Sequence, residues 1–513
     1  MAEKYRELPT DEGMDFHVHR GGPGRREPKT MLFWDYWKLQ HADNVELVQG
    51  RPEWVPEGTC YGAGSGRVYF DEEVGKWRQL NAYTDFYINE SEDGIHWEPA
   101  EFPDVVPEGG KKAPNHVFRL PGEGPAPGWL YLDPVAADGY PYKIPVIESG
   151  PRVFERAIAD PDHRWHDLAA ECGEPRQHFM DHIVLVSRDG LTWETRTDYD
   201  WGQGLFSPEE PHFMFYNHLT GKHTLTVRPG LGDRRVCIMT TEDFKHWSEP
   251  RLILQPDLLD GKILEFYAMP VFPYGTHFVG FVWASHFASS EGPDWCVLHK
   301  GPQGPQLAYS PDGRMFVRPT REAFIEFNEP GEIGCHSIRP EGMVTLDDEI
   351  RIYSTGGLSA HGTPVPEERE DESKALLLHT LRRDGFMYLR TKGYWGEFLT
   401  RPFAVFDGEF SMNAEALTGE VRYELRSWKN EPIEGYSFEE CEPLRFDDTL
   451  RHPLRWQERR DLSELIGQVI RLRVKFYNAR IYSFRGDYHF TDAHDLRLLN
   501  DGFEIADTSR FGT

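Results

Sequence analysis

The chain has 513 residues, and its 56 Lys and Arg stand against 85 Asp and Glu, a formal net charge of −29 at pH 7. That acidity excludes a protein whose main work is to grip nucleic acid or an anionic lipid surface. The 15 Trp, 22 Tyr and 32 Phe equally exclude a disordered acidic chain.

The first thirty residues, with Gly21-Gly22-Pro23-Gly24, read as an N-terminal arm. They begin Met1-Ala2-Glu3-Lys4 and hold no apolar core of a signal peptide, and no apolar run in the chain approaches the ~18 residues of a membrane-spanning helix. The expectation is a cytoplasmic protein with no membrane partner and no nucleic-acid partner. His17-x-His19 has the spacing of one strand face, but no third ligand accompanies it, so no metal is expected. The six cysteines (60, 172, 237, 296, 335 and 441) form no C-x-x-C pair and read as buried thiols. Walker A, Rossmann, HExxH and G-x-S-x-G patterns are all missing, which leaves nucleotide, flavin and serine-hydrolase chemistry without support and no cofactor expected.

From residue 31 onward a repeat runs along the chain. Ser91-Glu92-Asp93-Gly94-Ile95-His96-Trp97 is followed by Ser187-Arg188-Asp189-Gly190-Leu191-Thr192-Trp193 and by Thr241-Glu242-Asp243-Phe244-Lys245-His246-Trp247. Weaker copies are Ser310-Pro311-Asp312-Gly313 and Arg383-Asp384-Gly385. Each reads as a turn closing a hairpin, with the aromatic returning to pack beneath it. Between the copies lie further strand pairs: 67–70 with 76–83, 130–132 with 142–146, 213–216 with 222–227, 269–272 with 277–283, and 343–346 with 349–353. Two hairpins repeated five times predict a five-bladed β-propeller over residues 31–395. After Trp395 the strands 403–410, 419–428, 454–456 and 469–476 predict a β-sandwich over 396–513. The fold class is therefore all-β.

In a propeller, functional side chains gather where the innermost strands begin. Counting back from each inner turn places Glu210 (seven before Asn217), Glu265 (eight before Pro273) and Glu341 (six before Asp347) at one height. Carboxyls sharing a cleft push their pKa values apart, leaving one protonated and one ionised, which is what glycoside hydrolysis requires. These three are the expected catalytic residues. His212, Tyr267, His336 and Arg339 lie beside them, and Asp35 sits among Trp34, Tyr36 and Trp37; these five are the candidate substrate-binding residues. Asp133, in Leu132-Asp133-Pro134, occupies the far turn equivalent to Asp71 and reads as structural.

The spacing and the S-x-D-G-x-x-W hairpins resemble the five-bladed glycoside hydrolases of families 32, 43 and 68. The resemblance is closer still to bacterial proteins described as glycosyl hydrolase family 32-like. It is carried by Leu32-Phe33-Trp34-Asp35-Tyr36-Trp37, by Val68–Lys76, and by Pro432–Phe438, Arg451-His452-Pro453 and 474–482. The W-M-N-D-P-N, R-D-P and E-C segments of families 32 and 43 are missing. The resemblance implies a glycosidase acting on an oligosaccharide or glycan, fructosides and arabinofuranosides among the options, or a transferase variant. The expected partner is a carbohydrate, and homo-oligomerisation stays open. The rival readings are a non-catalytic carbohydrate-binding propeller and a protein-interaction scaffold.

Overall fold

A computed structural model describes residues 29–502 apart from 65, 121–125, 176–178, 203–207, 230–233, 261–263, 287–288 and 292–297. The arm expected over residues 1–30 and its His17-x-His19 lie outside the described residues, except for Lys29 and Thr30. The chain is all-β, with 48% strand and 7% helix. It divides into two compact units: one takes the described residues up to Arg51 with Asp347–Glu349 and those from Leu381 on, the other Pro52–Leu346 with Ile350–Thr380. Strands Lys29–Leu32, Leu39–Asp43 and Val45–Gln49 pair with Arg480–Gly486, Gly396–Thr400 and Met387–Thr391 respectively. They therefore belong with the C-terminal strands, although the sequence places residues 31–51 at the start of the repeat.

The larger unit is a succession of antiparallel strand groups. Arg67–Asp71, Lys76–Ala82 and Asp85–Ser91 form the first, and Tyr142–Ser149, Met180–Ser187 and Trp193–Arg196 the second. Pro208–Asn217, Lys222–Pro229, Val236–Thr241 and Arg251–Leu254 form the third. Val271–Tyr274, His277–His286 and Gln303–Ser310 follow, then Ser337–Thr345, Glu349–Gly357 and Lys374–Arg382. A single parallel pair, Gln303 with Ser337, joins these last two groups into one sheet. Strand Glu53–Tyr61 completes the last group by pairing with Lys374–Arg382.

Apolar faces of neighbouring groups share cores, because alternate residues of each strand point to opposite faces. Phe86 and Ile88 pack with Ile144 and Ile183. Val184 and Val186 pack with Met214 and Leu225, and Phe215 and Ile238 with Phe278 and Val282. Tyr353 and Leu376 of the last group pack with Val68 and Trp77 of the first. Two short helices, Pro151–Ala159 and His166–Cys172, pack on Phe179 through Val153, Ala157 and Ala169.

The repeated motif has one local structure in its first four copies. Asp93 Oδ1 accepts the Ile95 and His96 N–H groups, and Ser91 Oγ accepts that of Gly94. Asp189, Asp243 and Asp312 repeat this pattern with Ser187, Thr241 and Ser310. The position after each Asp has φ between 63° and 73°, which explains glycine at three copies and makes Phe244 the exception. The fifth copy is built differently: Asp384 itself takes the positive φ, and its Oδ2 accepts the Ser483 hydroxyl.

The smaller unit holds two sheets, one ordered from Val45–Gln49 to Asp448–Pro453 and one from Leu39–Asp43 to Tyr488–Phe490. Phe398, Tyr423, Trp456, Val474 and Ile481 lie in its core. The five described cysteines are free thiols, and Cys296 lies outside the described residues. No described helix is long and apolar enough to cross a membrane.

Candidate active site

Glu341 is carried on a β-bulge. On strand Ser337–Thr345, Pro340 faces Ser354 and Gly342 faces Tyr353, so Glu341 is the extra residue between them. A bulge re-aims its side chain away from the regular pleat, and here the residue is 2% exposed. Its Oε2 accepts the Gly66 N–H at 2.7 Å and its Oε1 the Thr355 hydroxyl at 2.9 Å, and the nearby Trp129 indole favours its charged form. Burial raises the Glu341 carboxyl above the ordinary glutamate range, outweighing the Arg339 charge and these donors.

An aromatic row runs from this acid. Trp129 stacks on Phe213 at 4.2 Å and meets Trp283 edge-on at 5.5 Å. Trp283 donates its indole N–H to the Pro340 carbonyl at 3.0 Å, which ties the row to the bulge. Tyr267 stacks on Trp283 at 6.4 Å and touches His361. Phe213, Ala268 and Trp283 are buried, while Trp129 and Tyr267 are half-buried. Three guanidinium groups lie over this row: Arg228 and Arg234 over Tyr267 at 4.9 and 5.1 Å, and Arg339 over Trp283 at 5.5 Å. Such placements favour a cation through the negative ring face. Arg234 also reaches Glu265 Oε2 at 3.2 Å.

Glu341, Arg339, Tyr267 and Glu265 are thus linked through Trp283 and Arg234. His336 is exposed three residues before Arg339, and its carbonyl accepts the Gln303 N–H at 3.0 Å. His212 lies instead in the packed interior, 4.6 Å from Trp201, with neither ring nitrogen hydrogen-bonded among the described residues. Burial and the nearby His182 and Arg228 hold its imidazole well below the ordinary range. The backbone of Glu210 falls in the irregular stretch between Glu209 and Phe213, and its side chain lies outside the described residues. Asp35 belongs to the smaller unit, exposed, with its Oδ1 accepting the Trp37 N–H at 2.7 Å.

Sequence reasoning missed Trp129, Trp283, Arg228, Arg234, Thr355, Gly66 and Lys374. Only Trp283 carried a signal, as a large aromatic at the end of the expected strand 277–283. Asp133 is held structurally: its Oδ2 lies 2.8 Å from Lys143 Nζ, as Asp71 Oδ2 lies 2.6 Å from the Arg78 guanidinium in the equivalent turn. Among the described residues no group of three or more His, Cys, Asp and Glu is placed to hold a metal ion.

No known family's model matches the chain, and no curated protein matches it. Solved structures with some likeness include an N-acetylgalactosamine deacetylase from F. plautii in complex with blood group B trisaccharide, at 12% identity and a TM-score of 0.37. That match covers 70% of this chain and 95% of the other. An exo-1,5-alpha-L-arabinanase from a bovine ruminal metagenomic library matches at 11% identity and a TM-score of 0.38, covering 65% and 97%. A thermostable family-43 glycoside hydrolase matches at 13% identity and a TM-score of 0.39, covering 67% and 96%. Likeness at this level assigns no activity to the chain.

Proposed function

We propose that the protein is a glycoside hydrolase whose chemistry resides in the larger unit. The observation that carries this reading is the buried Glu341 carboxyl, raised by burial, at one end of an aromatic row whose other end holds Glu265 beside Arg234. In this reading Glu341 gives its proton to the leaving glycosidic oxygen as the bond to the anomeric carbon breaks. The Thr355 hydroxyl, which donates to the carboxylate, accepts from the acid form by rotating. Glu265 attacks the anomeric carbon or activates the water that does so, and Glu210 orients the substrate. Trp129 and Tyr267 offer half-buried faces to a sugar ring. Passing the glycosyl group to another hydroxyl uses the same carboxyls.

The frame we propose for Pro52–Thr380 is a five-bladed β-propeller. Its support is the succession of antiparallel groups, their shared cores, and the pairing of Glu53–Tyr61 with Lys374–Arg382, which brings the unit's first strand to its last. The smaller unit, with its two sheets, is the candidate sandwich, joined in this reading by residues 29–51.

One observation favours a non-catalytic sugar-binding role: both Glu341 oxygens are already engaged by donors. A screen of aryl furanosides and pyranosides with wild type, E210Q, E265Q and E341Q separates the two. The hydrolase reading expects turnover that falls at least 100-fold in E265Q and E341Q. Turnover untouched by all three substitutions overturns the site, and sugar binding without any turnover supports the binding role.

A further inference from the structure

Arg339 and Lys374 have no part in the proposed proton transfer. Arg339 stands on strand Ser337–Thr345 opposite Thr355, the residue that holds Glu341 Oε1. Its guanidinium lies over Trp283, and its buried Nε has no hydrogen-bond partner among the described residues. Lys374 is exposed at the start of strand Lys374–Arg382 and next to Gly64, whose added Cβ would lie 3.4 Å from the Lys374 Cβ. Neither Arg339 nor Lys374 has an ion-pair partner among the described residues. The Lys374 ammonium lies below the ordinary lysine range, through loss of water and repulsion by Arg339, with Glu341 acting in the opposite sense. Gly64 lies two residues before Gly66, whose N–H holds Glu341 Oε2, and Arg339 lies two residues before Glu341 on its strand, so backbone geometry places both cations beside this acid.

Two cations with no ion-pair partner among the described residues, near an acid whose burial disfavours its charge, are an unbalanced arrangement there. It is the more unusual in a chain of net charge −29. An incoming anion relieves it: the guanidinium fork matches a carboxylate or sulfate edge, and the ammonium adds a point charge. We propose that the site takes an anionic glycan, whose carboxylate or sulfate group sits between Arg339 and Lys374 while a sugar ring stacks on Trp129 and Tyr267. The proposal rests on the reading of this cluster as a glycan site.

The test is a tryptophan-fluorescence titration of the full chain with three sets of probes: uronic-acid oligosaccharides, their neutral methyl esters, and sulfated oligosaccharides. At least one acidic probe binds tenfold or more tightly than its neutral counterpart, and which acid does so identifies the group. In R339Q and K374Q the ratio of acidic to neutral affinity falls to within twofold of one. If R339Q does not fold, R339K, which keeps the charge and loses the fork, and the exposed K374Q carry the comparison. No acidic preference in wild type, or a preference kept in every variant, overturns the proposal. Acidic preference without turnover in any screen overturns the hydrolase reading alone. Turnover of neutral glycosides without acidic preference overturns this one alone.

Discussion

The Gly66 N–H donates to Glu341 Oε2 at 2.7 Å across 275 residues of sequence. A carboxyl on a strand bulge is thereby fixed by backbone from the start of another strand group. Gly66 has no space for a side chain, because an added Cβ would lie 2.4 Å from the Leu80 carbonyl oxygen. Gly66→Ala therefore moves the backbone and takes the N–H from the carboxylate. The expected cost is about 1–3 kcal/mol, read as a lower urea midpoint. An unchanged midpoint would mean that Gly66 relaxes freely and does not hold Glu341.

Glu341 makes the protein's stability depend on pH in a defined direction. Its folded pKa lies above the ordinary value, with burial as the main cause. The unfolded chain thus releases this proton at lower pH than the folded chain does. Its contribution is fully favourable below the unfolded pKa of about 4.3 and is lost as pH rises toward the folded value. Wild type should lose stability relative to E341Q between those two values, with a limiting slope of about 1.4 kcal/mol per pH unit. Denaturation of both proteins from pH 4 to 8 measures it. A difference that is flat, or that grows in favour of wild type, contradicts the raised pKa.

The repeat was legible because its structure is local. Ser187, Asp189 and Gly190 build their turn within six residues, so the motif shows in the string itself. Glu265 and Glu341 were reachable by counting back from turns, and Tyr267 and Arg339 as their neighbours in sequence. Arg234, Trp129 and Lys374 were not, because only pairing between distant strands brings them to the same acids. The bulge at Glu341 leaves no mark in the sequence, and the irregular stretch at 209–213 defeats any count that assumes a regular pleat. Strands 29–49 misled for a related reason: their partners lie more than 300 residues onward.

The turn motif supplies its own test. Asp189 Oδ1 accepts the Leu191 and Thr192 N–H groups at 2.8 and 2.7 Å. Burial pushes this carboxyl up, but those donors and Ser187 push it further down, so its pKa is lowered overall. Asp189→Ala should cost about 1 kcal/mol at pH 7, as the loss of a comparable capping acceptor does. Because the folded pKa is depressed, the stabilisation holds above the unfolded value of about 3.9 and is lost as pH falls. The difference between wild type and D189A should therefore shrink below pH ~4. A deficit unchanged at pH 3 would locate the effect outside the ionised carboxylate.

Asp133-Pro134 resembles a catalytic acid in sequence, and the structure sets its carboxylate against the buried Lys143 ammonium. Lys143 is fully buried and lies 2.8 Å from Asp133 and 2.9 Å from Asp138, while its ammonium also donates to the Tyr140 carbonyl. It rests 4.6 Å from the Phe244 ring, whose face adds a favourable contact for the cation. Removing one partner of such a cluster leaves an uncompensated buried charge, at a cost of about 3–5 kcal/mol. Lys143→Met should show that loss in chemical denaturation. Asp133→Asn should show a smaller one, since Asp138 still answers the ammonium. On any glycoside that wild type turns over, kcat of the folded D133N fraction should stay within twofold of wild type. A 100-fold fall in kcat at unchanged stability would move Asp133 from the framework into the chemistry and dislodge Glu341 or Glu265 from its role.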